Sequence, residues 1–253
     1  MGFKDFYLEA TTEPKEYSEE ELKARQGKKT GAMRTLSDNI RKIKVNVAKD
    51  LKSEDEKTQL TALAIAVINA TRERVGNDKS AQGLRKDENG EEVKGDKHYG
   101  VTGLRKKHVT FYPDGKVVLK YTGKSGVDQV KTIRDKKIVE VMKKFYNMND
   151  GFLFTTSNGQ KIQATQVNNY LKKYDVSAKD LRGYGGNDRI IKLLNNRAIP
   201  QDEKERKKVF LDVAQKVADE LGHSRTMLRK SYLLPNLEDT YINSGKVINI
   251  KEV

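Results

Sequence analysis

The feature that most constrains the fold of this chain is a change of period near its middle. The run HVTFYPDGKVVLKYTGKSGVDQVKTI, beginning at His108, is rich in β-branched and aromatic residues and is broken by Asp114-Gly115 and by Gly123-Lys-Ser-Gly126. Asp-Gly favours the tight turns that join antiparallel strands, so the run predicts strand, turn, strand, turn, strand over roughly residues 106–132. On either side the apolar residues recur at helical spacing. The expected fold class is therefore α+β, a mainly α-helical domain carrying one small antiparallel sheet.

A first clear helix is expected after Ser37, with Ile40, Ile43, Val47 and Leu51 on one face. Ser53-Glu-Asp-Glu56 reads as a capping box opening a second helix through Leu60, Leu63, Ala64, Val67 and Ile68, stopped near Val75-Gly76-Asn77. Asn89-Gly90 marks a loop or hairpin turn in a polar stretch. After the sheet, helices are expected over about 133–148, from a Thr165 cap through Tyr170, and over Ala178 to Asn195. The strongest periodicity runs from Asp202 to Leu221 and stops at Gly222. Ser224 then opens a short helix carrying Arg229, Lys230 and Tyr232, closed by Pro235. Residues 1–34 are polar and weakly periodic and are expected to form a partly ordered arm, with 35–253 as one domain.

Charge narrows the partner. Fifty Lys and Arg against 36 Asp and Glu leave a net charge of +14. Such an excess favours a polyanion, because each neutralised phosphate releases a condensed counterion. DNA, RNA and an acidic membrane surface remain open on charge alone. The chain has no cysteine, which excludes disulfides, thiolate metal sites and a cysteine nucleophile. His98 and His108 lack metal-ligand spacing, no GxxxxGK[ST] run is present, and the N-terminus lacks a signal-peptide core, so an intracellular protein without metal, nucleotide or other cofactor is expected.

Five elements in order then carry a resemblance. Glu220-Leu-Gly-His223 with Ser231-Tyr232, nine residues after the histidine, resembles the end of the type IB topoisomerase and tyrosine recombinase superfamily. Ala178-Lys-Asp-Leu-Arg182-Gly-Tyr-Gly resembles the second arginine box of the topoisomerase branch. Arg72-Glu-Arg74-Val-Gly-Asn resembles its first, and Tyr99-Gly-Val-Thr-Gly-Leu-Arg105-Lys-Lys-His108-Val the segment leading into its hairpin. Tyr121-Thr-Gly-Lys124 falls where that branch carries a catalytic lysine. The likeness covers roughly residues 35–235 and is greatest to the short poxvirus-like, mimivirus-like and bacterial enzymes. The family's N-terminal β-rich clamp is expected to be absent, since too few residues precede Arg74 to form it.

The resemblance implies a monomeric enzyme that cuts and reseals one strand of duplex DNA, away from any membrane, through a covalent bond to Tyr232. Arg74 and Arg182 would clamp the scissile phosphate, a role suited to a planar, permanently charged guanidinium. His223 would donate to the same oxygens, and Lys124 would protonate the leaving 5′-oxygen. Lys179, one helical turn before Arg182, and Arg105 would contact DNA. Each has a plainer alternative: Tyr232 as a core ring, His223 as a helix-end cap, Lys124 as a solvated turn lysine with Lys120 as its competitor. A tyrosine recombinase or integrase would use the same residues for strand exchange. Against it, Lys179 stands where recombinases place histidine. The glycines after Arg74 and Arg182 are expected to admit the DNA backbone.

Overall fold

A computed structural model of the chain describes residues 18–86, 89–148 and 151–252. Helix α1 (Glu19–Asp50) is capped by Ser18, whose hydroxyl accepts from the Glu21 N–H at 3.2 Å while the Glu21 carboxylate accepts from the Ser18 N–H at 2.9 Å. It starts well before Ser37, so the latter half of the expected arm is helix. The periodicity misses this because residues ahead of Met33 bury little apolar surface and are held by capping and charge. Residues 1–17 of the arm lie outside the described residues.

Helix α2 (Glu56–Thr71) is buried on all sides from Gln59 to Ile68 and lies at the centre of the core, touching α1, the sheet and the later helices. Its cap is Asp55 rather than Ser53: the Asp55 carboxylate accepts from the Thr58 N–H at 2.9 Å. It also ends earlier than Gly76, at Arg72, which adopts the left-handed conformation (φ 58°). A non-glycine residue there costs about 1 kcal/mol. That turn sends Glu73 and Arg74 out of the helix as an extended segment. Gly76 (φ 92°) then packs backbone to backbone on Gly100, where an added Cβ would lie 2.4 Å from the Gly76 Cα. Val101 and Thr102 donate to the carbonyls of Arg74 (2.9 Å) and Val75 (2.8 Å) and hold the segment in place.

A short helix α3 (Asp78–Gln82) and the hairpin β1 (Leu84–Lys86) and β2 (Glu92–Lys94) follow, with Gly90 (φ 83°) in the connecting turn. The expected sheet forms from β3 (Val109–Phe111), β4 (Val117–Thr122) and β5 (Asp128–Ile133), antiparallel in the order β3-β4-β5. Pairing Val117 with Ile133, Leu119 with Lys131 and Tyr121 with Gln129 puts these residues on one face, turned towards the helices. A lysine on that face is unusual.

Helices α4 (Lys136–Met148) and α6 (Ala178–Asn195) lie where the periodicity puts them. Helix α5 (Ala164–Lys172) begins after Gln163, not at a Thr165 cap, because Gln166 reaches back to the Gln163 N–H at 3.0 Å. Helix α7 (Glu203–Leu221) is capped by Asp202 and closed by Gly222. Helix α8 (Arg225–Ser231) stops one residue before Tyr232. Beyond Pro235 the chain forms an unexpected helix, α9 (Leu237–Ser244). It buries Leu237 and Tyr241 against α7, and Arg206 of α7 caps it by donating to the carbonyls of Ile242 (2.6 Å) and Asn243 (3.0 Å). No helix among the described residues is long and apolar enough to cross a membrane.

Candidate active site

Helix ends build the site. At the end of α7, Gly222 (φ 64°) turns the chain so that the His223 N–H bonds back to the Ala218 carbonyl at 3.1 Å. Any Cβ at Gly222 would also run into the Gln129 amide of β5, 1.9 Å away. The turn lays the His223 imidazole flat against the Tyr232 ring, centroids 5.2 Å apart and planes 5° apart. Arg182, in the second turn of α6, places its guanidinium 5.5 Å from the same ring centre.

Arg182 is 1% exposed, and its Nη2 donates to the Leu221 carbonyl at 2.7 Å. Its Nε and Nη1 have no hydrogen-bond partner, and neither does Nε2 of the buried His223. Nδ1 of His223 lies 3.3 Å from the Ser224 carbonyl. Burial, then the charges of Arg182 and Arg74, lower the His223 pKa from 6.5 to about 4. The two orphaned Arg182 donors are costly in a folded protein, and an anion bound at them relieves that cost. Arg74, half-buried, adds its charge at the same place, bearing on both Arg182 and His223.

The structure thus brings together Arg74, Arg182, His223 and Tyr232. Lys124 stands apart, exposed in a turn between β4 and β5 shaped by Ser125 (φ 64°) and Gly126 (φ 72°). Its competitor Lys120 faces outward from β4. Lys179 is exposed one turn before Arg182. Arg105 lies within a separate packed cluster, its guanidinium 4.2 Å from the Phe152 ring centre, with Lys161 3.6 Å from the same centre.

The glycines after the two arginines lie against the protein's own atoms. Gly183 faces the side chains of Tyr232 and Met33, Gly185 that of Arg72 and Gly186 that of Leu221, while Gly76 faces the backbone of Gly100. The reason is close packing of α6 against the strand and helix ends that carry the site.

Two residues escaped the sequence reading. Asn187 is 1% exposed; its amide nitrogen donates to the carbonyls of Gly183 (2.9 Å) and Tyr232 (2.8 Å), and its oxygen accepts from the Leu234 N–H (2.9 Å). Lys29 of α1 donates to the carbonyls of Lys230 (3.3 Å) and Leu233 (3.1 Å). The sequence signal for Asn187 is a polar residue on the buried face of α6, four after Gly183. Lys29 carries none.

Residues 19–238 match the family model described as "Eukaryotic DNA topoisomerase I, catalytic core". The DNA topoisomerase 1B of Acanthamoeba polyphaga mimivirus is 28% identical over 162 residues, which are 58% of this chain and 48% of that protein. The chain thus spans about half the length of that relative. Among solved structures, the XerH site-specific recombinase bound to palindromic difH substrate in a post-cleavage complex is 15% identical, with a TM-score of 0.45 over 92% of this chain and 53% of that one. A pre-cleavage XerH complex with difH substrate is also 15% identical, with a TM-score of 0.43 over 95% of this chain and 57% of that one.

Proposed function

This chain belongs to the eukaryotic DNA topoisomerase I catalytic-core family, and from that premise we propose that it relaxes supercoiled duplex DNA by transient cleavage of one strand at Tyr232. The observation that carries this reading is the buried edge of Arg182, whose Nε and Nη1 donors have no hydrogen-bond partner, beside the Tyr232 ring and the equally unsatisfied Nε2 of His223. A phosphodiester offers them oxygens on which charge grows as a nucleophile adds, and donors placed in advance favour that state over the ground state.

In the proposed reaction the Tyr232 oxygen attacks the scissile phosphorus and the bond from phosphorus to the 5′-oxygen breaks. The phenol loses its proton to solvent, and Lys124 supplies one to the departing oxygen. The chain then holds a 3′-phosphotyrosyl diester while the 5′-hydroxyl end swivels and releases torsion. Resealing reverses each transfer, so neither nucleotide nor metal enters the balance. Arg74 and Arg182 would hold the non-bridging oxygens, and the exposed Lys179 would contact a neighbouring phosphate.

The test is relaxation of a negatively supercoiled plasmid without paired recombination sites, magnesium or ATP, together with a duplex that traps the covalent adduct. Wild-type chain is expected to relax the plasmid and form the adduct, and Tyr232→Phe to do neither. An adduct that persists in Tyr232→Phe, or strand exchange without relaxation, overturns the reading.

A further inference from the structure

Glu73 is a buried carboxylate with two cations, Lys131 and Arg182, beside it. It sits between Arg72 and Arg74 and is 3% exposed. Its Oε1 lies 3.0 Å from Lys131 Nζ, and its Oε2 lies 4.0 Å from Arg182 Nη1. Lys131 is the lysine on the helix-facing side of β5, its side chain 11% exposed, and its ammonium also donates to the Glu220 carbonyl. The next carbonyl, that of Leu221, accepts from Arg182. The C-terminal end of α7, the negative end of its dipole, therefore holds both cations side by side. Tyr121, buried on the same strand face, points to the same carboxylate: burial, then Glu73, push its hydroxyl well above the usual tyrosine range.

A carboxylate beside a phosphate site repels the phosphate unless another cation neutralises it. Two cations compete for Glu73. If Arg182 took it as a close pair, the free edge of the guanidinium would be filled and its charge cancelled. The structure instead sets Glu73 close to Lys131, at 3.0 Å, and holds it 4.0 Å from Arg182, whose Nε and Nη1 make no hydrogen bond.

We propose that Lys131 is a positioning residue: by pairing with Glu73 it keeps that carboxylate off Arg182, so that the guanidinium presents its open edge to the scissile phosphate. Lys131 touches neither substrate nor nucleophile and acts through Glu73 and Arg182. This rests on the topoisomerase reading above.

The experiment is single-turnover cleavage of the trapping duplex by wild type, Lys131→Met, Lys131→Arg, Glu73→Gln and the double variant Glu73→Gln/Lys131→Met. Affinity for uncleaved duplex is measured in a Tyr232→Phe background. Lys131→Met should slow cleavage by about tenfold to a hundredfold, the scale of losing one preplaced donor. Lys131→Arg, which keeps the charge, should stay within about threefold of wild type, and duplex affinity should move less than the rate. The decisive arm is the double variant. With no carboxylate left to restrain, it should recover to within about threefold of Glu73→Gln alone. A double variant as slow as Lys131→Met, or a Lys131→Met rate equal to wild type, overturns the inference. Should Lys131→Met fail to fold, Glu73→Gln carries the comparison: cleavage close to the wild-type rate is expected, and a loss of a hundredfold or more overturns the inference. Wild-type chain that forms no adduct overturns the topoisomerase reading and the inference with it; a wild-type adduct with an unrescued double overturns the inference alone.

Discussion

Asn187 holds the backbone around Tyr232: its amide nitrogen donates to the Tyr232 carbonyl and its oxygen accepts from the Leu234 N–H. Asn187→Ala strands both groups in the interior, which costs about 2–6 kcal/mol at about 1–3 kcal/mol per unsatisfied group. A lower urea midpoint and slower adduct formation are the expected outcomes. The two buried histidines make stability depend on pH. His108 and His223 are both lowered from 6.5 to about 4, in each case chiefly by burial, so below pH 6.5 the unfolded chain binds protons that the folded chain refuses. Their stabilising contribution is whole above about 6.5 and is lost as pH falls towards about 4. Urea midpoints at pH 7 and pH 4.5 should separate by less in a His108→Gln/His223→Gln double variant than in wild type. An equal separation would show that these rings do not carry the effect.

Among the elements, the junction of α7 with β5 governs how His223 is presented. Gly222→Ala adds two separable costs, about 1–2 kcal/mol for the left-handed backbone and a clash with the Gln129 amide. Adding Gln129→Ala should restore the steric part of the lost thermal stability and leave the backbone part. Full recovery, or none, would contradict that division. Helix α1 acts on the opposite side of the site, where Lys29 ties the chain at the end of α8. Burial, then the charge of Lys179, holds its ammonium below the usual lysine range. Lys29→Met should slow adduct formation severalfold, roughly the effect of one lost charge-assisted hydrogen bond, at little cost in duplex affinity.

Across the whole molecule, the chain carries a net charge of +14, with Arg74, Arg182, His223 and Tyr232 assembled in one place and Lys124 exposed in a turn of the sheet. Binding should therefore weaken with salt, with a log–log slope of about −0.9 per phosphate contacted. Because Lys124 makes no packing contribution in its exposed turn, Lys124→Met should slow cleavage on the order of a hundredfold while leaving the unfolding midpoint unchanged. A shifted midpoint would mean that the turn is structural.

What the sequence by itself determined are the features whose causes are local. The helix from Asp202 to Gly222 is written in its cap, its apolar stripe and its stop, and the β3-β4-β5 sheet in two turn signals. The order of the arginine boxes, LGH and Tyr232 carried the family likeness. Tertiary structure alone decided the rest, because the causes lie far apart along the chain. Behind its local Ser18 cap, the first half of α1 is tied through Lys29 to the end of α8, and α9 docks onto α7, contacts that no window of neighbouring residues contains. The glycines of α6 lie against Tyr232, Arg72 and Leu221, neighbours far from them along the chain. Lys131 reads as one of many surface lysines until β5 pairs with β4 and turns it inward, where desolvation obliges it to find Glu73.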